Sequence, residues 1–570
     1  MKLIGDPNAA KVTAGLVLAG LLLFSSSFCH PFHFDDVLIV NDANVTNAAQ
    51  WTHFLNPIHL RQLTFFTFYL NHLAGGINPA GYHVVNVVIH IANAILLFSL
   101  LARFAGGPAD SYGLATRWIA TAAAAIFLIH PIQTAAVLYV YERSTLLACF
   151  FSLLGLIALA DRRTALAIIL FVLAFEGKES AIAVPLAVAI LYGGRAFKKT
   201  RVVMFISALV LAIAALAVLA FWNEKTVGIN AVAQVPPVRY LLTETRVAFT
   251  YLRLLLLPYS QSLEYDFHES GGILTIAGIL LILAAGYFLY RSERLKIEGL
   301  SILAFFILLA PTSSIIPSVD AVFEHRLYLP MLAFSLFAAS LLARLPKRTA
   351  ATTVVIAALA IVTVRRESIW GSEIRLWEDT AAKAPGKARV WFNLGGAYLN
   401  TDPDKARSAF QRALELQPHF PEAWYDLGII EQQKSNWNAA LADYGTAAAQ
   451  QPDYWPALNN MANTLFALGQ QDRALTYLRQ TLDLNPNYWP AHYNTAIVLF
   501  TRGQYVDASR HLKIVLDWKP DFRDARFLLA TSLSRAGYRS PADEEFRKLG
   551  AQYATEPMPP PTMMFAPSRP

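Results

Sequence analysis

Phe34-Asp35-Asp36-Val37-Leu38-Ile39-Val40-Asn41 follows closely on an apolar segment that ends at about Cys29. Two adjacent carboxylates, with His30 and His33 before them, therefore stand where a hydrophobic anchor meets water. A soluble surface carries such a pair at no cost, but at a membrane face it has to be held against desolvation. Two readings compete at this point. In one, Asp35 and Asp36 merely cap the short helix that follows, as Asp often does. In the other they are the working end of a membrane enzyme, and the segments around them decide the matter.

The chain of 570 residues is 55% hydrophobic and only 15% charged, with a mean hydropathy of +0.39. Soluble domains average about 25% charged residues, so much of this chain must meet lipid. Its net charge of +7 sits in short basic clusters between apolar segments, the pattern of cytoplasmic membrane loops and not of a nucleic-acid surface. Two cysteines, Cys29 and Cys149, build neither a disulfide framework nor a cysteine zinc site. The first apolar stretch, 14–24, has only Lys2 and Lys11 before it, diluted by Asp6, and no Ala-x-Ala-type cleavage site precedes His30. The bulky Phe28 before Cys29 does not suit lipoprotein processing either, so the stretch reads as a retained membrane helix.

Further apolar segments run roughly over residues 82–104, 117–139, 145–160, 164–175, 181–192, 202–222, 272–290, 300–311, 327–342 and 349–364, which with the first makes about eleven. Some fall short of the ~20 residues a spanning helix normally needs. Arg103 with Arg117, Arg162 with Arg163, the run 195–201, Arg291 with Arg294 and Lys296, and Arg344 with Lys347 and Arg348 bracket alternate connections, which makes those loops cytoplasmic. The stretches 30–81, 130–144, 176–180, 223–269 and 312–326 are then external. Segment 240–257 is apolar, yet it carries Glu244, Arg246 and Arg253 between Pro236, Pro237 and Pro258, so it is expected to be interfacial or re-entrant. A cytoplasmic N-terminus and eleven spans place everything after Val364 outside.

There the pattern changes. Pro418, Pro452, Pro486 and Pro520 recur at a step of 34 (452 − 418, 486 − 452, 520 − 486), and Ala440, Ala474, Ala508 and Ala542 keep it. So do Gly428, Ala462, Ala496 and Ala530. A 34-residue period with small residues where paired helices approach and a proline after the second helix is the tetratricopeptide signature. With a slightly shorter unit at 387–418, about five repeats end near Tyr553. The stretch 556–570, with Pro557 and Pro559 to Pro561, is expected to be a disordered Pro-rich tail. The domain reading is an all-α fold, a helical membrane module over 1–366 and a repeat superhelix over 367–555, followed by the disordered tail.

The external loops hold nearly all the unusual polar residues. The first contains Asp35, Asp36, His59 and Arg61 and leads to His83, Asn86 and His90, which share one helical face. That face lines a cavity or hydrogen-bonds to another helix. Glu142-Arg143 reads either as a structural pair or as part of the site, Lys178 tips a short hairpin, and Glu324-His325-Arg326 opens a membrane helix at its outer end. Carboxylates, cations and an amphipathic cover at one face suit transfer from a membrane-anchored, phosphate-linked donor. A carboxylate would serve as general base on a hydroxyl, and Arg or Lys would steady the departing phosphate. No Walker loop, Rossmann glycine fingerprint or HExxH motif is present.

Phe34-Asp35-Asp36 with Val40-Asn41, Leu63-Thr64 to Asn71, Tyr82-His83-x-x-Asn86-x-x-x-His90, Ile129-His130-Pro131-Ile132 with Glu142-Arg143, Gly177-Lys178-Glu179, Leu257-Pro258 with Leu263 to Tyr265, and Arg326-Leu327-Tyr328-Leu329-Pro330 together resemble the transmembrane and tetratricopeptide-repeat O-mannosyltransferases. The resemblance keeps motif order over nearly the whole chain. It implies a GT-C class membrane glycosyltransferase using a polyprenyl-phosphate sugar, with the acidic motif of the first external loop, here Asp35 and Asp36, as catalytic centre. Asn44 departs from that family's pattern, where an acidic residue is expected, and Asp42 lies two positions earlier.

The reading that follows is an inverting protein O-glycosyltransferase in a multi-pass membrane module, in a bacterium the inner membrane with undecaprenyl phosphate as carrier and the periplasm outside. Asp35 or Asp36 is the base; Arg326, Lys178, Arg61 and Arg143 are the phosphate-binding candidates; His59, His83, Asn86, Glu324 and His325 line the cavity. No cofactor is required, since a lipid monophosphate leaves readily, though the carboxylates could hold a divalent metal. The repeats engage the acceptor protein through Asn393, Tyr425, Asn459, Asn460, Tyr493 and Asn494, while Trp391 and Trp424 read as ordinary repeat core. Two rivals remain at this point: an oligosaccharyltransferase or ligase working on diphosphate-linked glycans, and a repeat scaffold for a secretion or pilus assembly.

Overall fold

The computed structural model describes residues 6–46, 61–103, 113–192, 236–266, 272–313, 320–549 and 562–566. Every regular element among them is helical, and the chain divides into two compact units, Met1–Ala384 and Pro385–Pro570. The division falls after the helix Glu373–Lys383, later than the change of composition near Val364.

In the first unit, ten of the eleven expected apolar segments are helices: Pro7–Phe24, Pro79–Arg103, Gly113–Ile129 continued by Thr134–Leu138, Arg143–Ala160, Thr164–Gly177, Ala183–Tyr192, Ile273–Arg291, Lys296–Leu309, Pro330–Ala343 and Arg348–Trp370. The eleventh, 202–222, lies outside the described residues, as do the basic run 195–201 and His59. By length and composition, five helices among the described residues can cross a membrane, or up to six if a bent pair counts as one; other apolar helices are shorter. On Ile273–Arg291 the side chains of Ile273, Leu274, Leu281 and Phe288 are 84%, 87%, 71% and 70% exposed. An apolar surface of that extent needs lipid against it.

The bent pair has a simple cause. The helix breaks by 49° at His130-Pro131, where Pro131 has no N–H to continue the ladder. His130 closes the gap: its Nδ1 accepts from the Ile132 N–H at 3.2 Å, and its Nε2 meets the Leu255 carbonyl at 3.0 Å. Leu255 belongs to the helix Pro237–Leu256, whose Tyr240, Glu244, Val247, Tyr251, Leu254 and Leu255 are buried at three- and four-residue steps. That helix is one-sided and carries four charged residues, Arg239, Glu244, Arg246 and Arg253, and it is not among those apolar enough to span.

The second unit stacks five helix pairs: Ala388–Tyr398 with Pro403–Leu416, Pro421–Gln433 with Trp437–Gln450, Trp455–Ala467 with Gln471–Leu484, Trp489–Thr501 with Tyr505–Trp518, and Arg523–Arg535 with Arg539–Leu549. The turn inside each pair after the first uses one left-handed residue to end the first helix. Gly469, Gly503 and Gly537 supply it at φ +78°, +77° and +88°. The equivalent position one period earlier, 469 − 34, is Ser435, held at φ 58° by the same pair of bonds, Ser435 N–H to Gln432 O and Asn436 N–H to Glu431 O. Its Cβ carries a steric cost that glycine avoids. Ser435→Gly is expected to stabilise the repeat unit by about 1 kcal/mol and Gly503→Ser to destabilise it by a similar amount. Thermal unfolding midpoints of the two variants check this.

Candidate functional site

Between the bent helix and Arg143–Ala160 the chain makes a short turn, Tyr139-Val140-Tyr141-Glu142-Arg143, and nearly every residue of it holds a different segment. The Tyr139 hydroxyl donates to Asp35 Oδ2 at 2.7 Å. The Tyr141 N–H donates to Asp36 Oδ1 at 2.8 Å. Glu142 receives Lys178 Nζ at 2.7 Å and the Thr145 hydroxyl at 2.5 Å, with His325 Nε2 at 3.4 Å from its other oxygen. Arg143 gives Nε to Asn86 Oδ1 at 2.8 Å, Nη1 to Asn71 Oδ1 at 2.6 Å and Nη2 to the Tyr82 carbonyl at 2.9 Å, with its guanidinium 4.5 Å from the Phe68 ring centre.

The two aspartates, alike in sequence, are used differently. Asp36 is fully buried and accepts the His33 N–H at 3.1 Å on the oxygen that Tyr141 does not use. Burial pushes its carboxyl up to about 8, against the pull of these N–H groups. It fastens the first loop to the turn. Asp35 opens the helix Asp36–Asn41, yet its side chain makes no cap hydrogen bond, so helix capping does not account for it. It is partly exposed and turned out by Phe34, whose backbone is left-handed at φ 51° and whose ring lies 6.2 Å from Tyr139 and 5.9 Å from Trp377. A bulky residue in that region costs on the order of 1–3 kcal/mol and persists only where the surroundings enforce it. Burial and the neighbouring Asp35 both raise the Tyr139 hydroxyl, which keeps it a proton donor to Asp35. His30 and His33 are pulled down to about 4 by burial and stay neutral.

A small cleft is lined by Thr145, Lys178, Ser180, Leu308, Thr312, His325, Arg326 and Leu329. It brings together two of the expected phosphate-binding cations, Lys178 and Arg326. Burial lowers the Lys178 ammonium while Glu142 opposes the shift, and burial takes His325 down to about 3. Arg326 donates to the Asp320 and Ala321 carbonyls at 3.0 and 2.7 Å, which curls its own loop around the guanidinium, and it sits 3.5 Å from Glu244. Arg61 is not a lining residue of this cleft; it makes a two-pronged pair with Glu179, both bonds 3.0 Å.

The other expected residues have neighbours that define structural work. Arg143 is fully buried with its N–H groups on neutral oxygens. Asn86 gives its amide to the Val137 carbonyl at 3.2 Å, and His90 bridges the Tyr328 hydroxyl and the Leu128 carbonyl, so this face of Pro79–Arg103 binds other helices. His83 is buried on the same helix with its ring 6.1 Å from His30. Glu324 accepts the Ser262 N–H at 2.7 Å and the Tyr265 hydroxyl at 2.6 Å, pinning the loop after Pro258. Sequence reasoning passed over Tyr139 and Thr145; each lies three residues from Glu142, but neither is ionised at neutral pH, so nothing singled them out. Among the described residues no group of three or more His, Cys, Asp or Glu is placed to hold a metal ion.

In the repeat unit, Tyr425, Asn459, Asn460 and Asn494 are buried on the first helices of successive pairs and bond to one another: Asn460 Nδ2 to the Tyr425 hydroxyl at 2.9 Å and Asn494 Nδ2 to Asn459 Oδ1 at 3.1 Å. Asn393 is also buried, whereas the ring of Tyr493 packs 4.9 Å from Phe522 as repeat core. Residues 562–566 of the expected disordered tail are placed against these asparagines, because main-chain groups there find partners in them.

Comparisons with known proteins agree with the motifs. Models of the tetratricopeptide repeat match residues 400–454 and 465–532. The chain is 26% identical over 387 residues to a Caenorhabditis elegans protein named protein O-mannosyl-transferase F38B6.6, covering 64% of this chain and 54% of that one. It is 23% identical over 533 residues to mouse protein O-mannosyl-transferase TMTC3, covering 80% and 56%. The chain thus spans about half the length of these relatives. The solved structure of MamA protein matches 30% of this chain and 98% of its own, at 20% identity and a TM-score of 0.27.

Asparagine at position 36 would offer one acceptor oxygen to two N–H groups, so Asp36→Asn is expected to cost about 1–3 kcal/mol, while Asp35→Asn leaves the unfolding midpoint nearly unchanged. The folded carboxyl of Asp36 protonates at about 8 against a reference of 3.8. Its stabilising share is therefore complete below the lower value and lost as pH rises through the upper one. Unfolding midpoints across that window should fall more steeply for the native chain than for Asp36→Asn.

Proposed function

We propose that this relative of the tetratricopeptide-containing protein O-mannosyltransferases is a multi-pass membrane enzyme that moves one hexose from a polyprenyl-phosphate donor to Ser or Thr hydroxyls of an acceptor protein. The observation that carries the reading is the cleft where Lys178, His325 and Arg326 meet beside apolar Leu308 and Leu329, tied through Glu142 and Tyr139 to Asp35. A phosphate on an apolar tail needs such a mixture of cations and hydrocarbon.

In the proposed step Asp35 takes the proton of the acceptor hydroxyl while the hydroxyl oxygen forms a bond to the anomeric carbon. The bond from that carbon to the phosphate oxygen breaks on the opposite face, its electron pair leaving with the lipid phosphate, so the anomeric configuration inverts. Lys178, with a third N–H to give beyond those spent on Glu142 and Thr145, meets the departing charge together with Arg326. Tyr139 positions Asp35. The positive-inside pattern puts this face and the repeats outside the cytoplasm, and the repeat unit holds the acceptor. If the chain is bacterial, the carrier is undecaprenyl phosphate and the compartment the periplasm.

Purified chain incubated with polyprenyl-phosphate hexoses and a Ser/Thr-rich peptide tests this. Asp35→Asn is expected to lower kcat by roughly 10²- to 10⁴-fold, and Lys178→Met to lower kcat and kcat/KM for the donor together by about tenfold or more. Full rate in Asp35→Asn, or use of diphosphate-linked oligosaccharide alone, would contradict the proposal.

A further inference from the structure

Asn460 and Asn494 occupy one position in successive repeats, 494 − 460 = 34. Each grips the main chain of one residue of the segment 562–566 with both ends of its amide. Asn494 Nδ2 donates to the Met564 carbonyl and its Oδ1 accepts the Met564 N–H, both at 2.6 Å. Asn460 does the same for Ala566, at 3.3 and 2.7 Å. The two gripped residues are i and i+2, which present their main-chain groups to the same side of an extended strand. Asn459 and Asn463 add donors to the Met564 carbonyl at 3.3 and 2.6 Å, and the Tyr425 hydroxyl donates to the Ala566 carbonyl at 2.7 Å. Met563 is buried against the repeat core.

The series continues toward the first repeat. One period before Asn460 stands Asp426, and in the shorter first unit the place falls to Asn393. Asn393 is 5% exposed, and its Nδ2 has no hydrogen-bond partner among the described residues. A buried amide donor left without a partner costs free energy, so a position like this suits a main-chain carbonyl of a bound strand.

We propose that the repeat groove is a site for an extended polypeptide read through its main chain at alternate residues, and that the segment 562–566 is a tethered occupant which an acceptor must displace. The inference rests on the acceptor role given to the repeats above. Reading by N–H and C=O is blind to side chains but not to proline, which lacks the N–H. The gripped positions must therefore be non-proline, as Met564 and Ala566 are. The tether raises the local concentration of the segment to the order of millimolar, so it excludes weak ligands and yields to strong or multivalent ones.

The experiment is fluorescence anisotropy with a labelled peptide copying residues 558–570, added to the full chain in detergent and to the chain ending at 555. The peptide is expected to bind the shortened chain at least tenfold more tightly than the full one. A peptide with Met564→Pro should lose that binding, one with Phe565→Pro should retain most of it, and Asn460→Ala/Asn494→Ala in the shortened chain should abolish it. Equal binding to both chains overturns the tethered occupant; undiminished binding of the Met564→Pro peptide overturns main-chain reading. Binding is read without sugar transfer, so failure here is separable from failure of the catalytic proposal. Because the peptide variants leave the protein untouched, a misfolded groove variant does not decide the outcome.

Discussion

The Glu142 carboxylate is the constraint on which the membrane unit depends. It is 5% exposed and lies at the start of an apolar helix, so its charge has to be matched where it stands. Lys178 from the end of one helical hairpin does this, while the Thr145 hydroxyl one turn along and the neutral ring of His325 from a third segment complete its polar surroundings. Removing one partner of a buried pair costs roughly 3–5 kcal/mol, because the charge left behind is uncompensated. The same turn fixes Asp36 by a main-chain N–H and Asp35 by the Tyr139 hydroxyl. Charge matching, loop anchoring and the aim of Asp35 are therefore one arrangement.

This explains how two neighbouring carboxylates take different work. Asp36 has an N–H on each oxygen and no exposure; Asp35 has a phenol on one oxygen and partial exposure. The left-handed backbone at Phe34 turns them apart, and the strain is held by rings from Tyr139 and Trp377. In the repeat unit the same economy recurs in neutral form. Asparagines on consecutive first helices hold one another and the strand of Met564 and Ala566 with complete amides, a rigid and uncharged way to bind peptide main chain.

Much of the architecture was legible because periodicity reports it. The 34-residue step gave the paired helices, and the charges in 240–257 separated a one-sided helix from a spanning one. Proline placement could have shown the break at Pro131, yet residues 117–139 read as one segment because hydropathy is blind to a single missing N–H. In the candidate site, Lys178 and Arg326, which line one cleft, were nameable from their charge beside apolar segments. The division between Asp35 and Asp36 was not, since it rests on contacts more than 100 residues away. Arg143 looked like a phosphate ligand because its neutral acceptors, Asn71, Asn86 and the Tyr82 carbonyl, come from elsewhere in the chain. The asparagines of the groove were visible as a series, but a Pro-rich stretch carries no sign that it returns to them.

The most direct test of the central claim, that Asp35 is the base of a sugar transfer to protein, is intact mass spectrometry of external and surface proteins. The comparison is between cells carrying the native chain, a deletion, and the chain with Asp35→Asn. The account predicts that one and the same protein loses a hexose-sized mass in both the deletion and the Asp35→Asn cells, while the variant chain stays at native abundance. Unchanged masses in all three would contradict it, and would leave the repeats as a membrane-anchored scaffold.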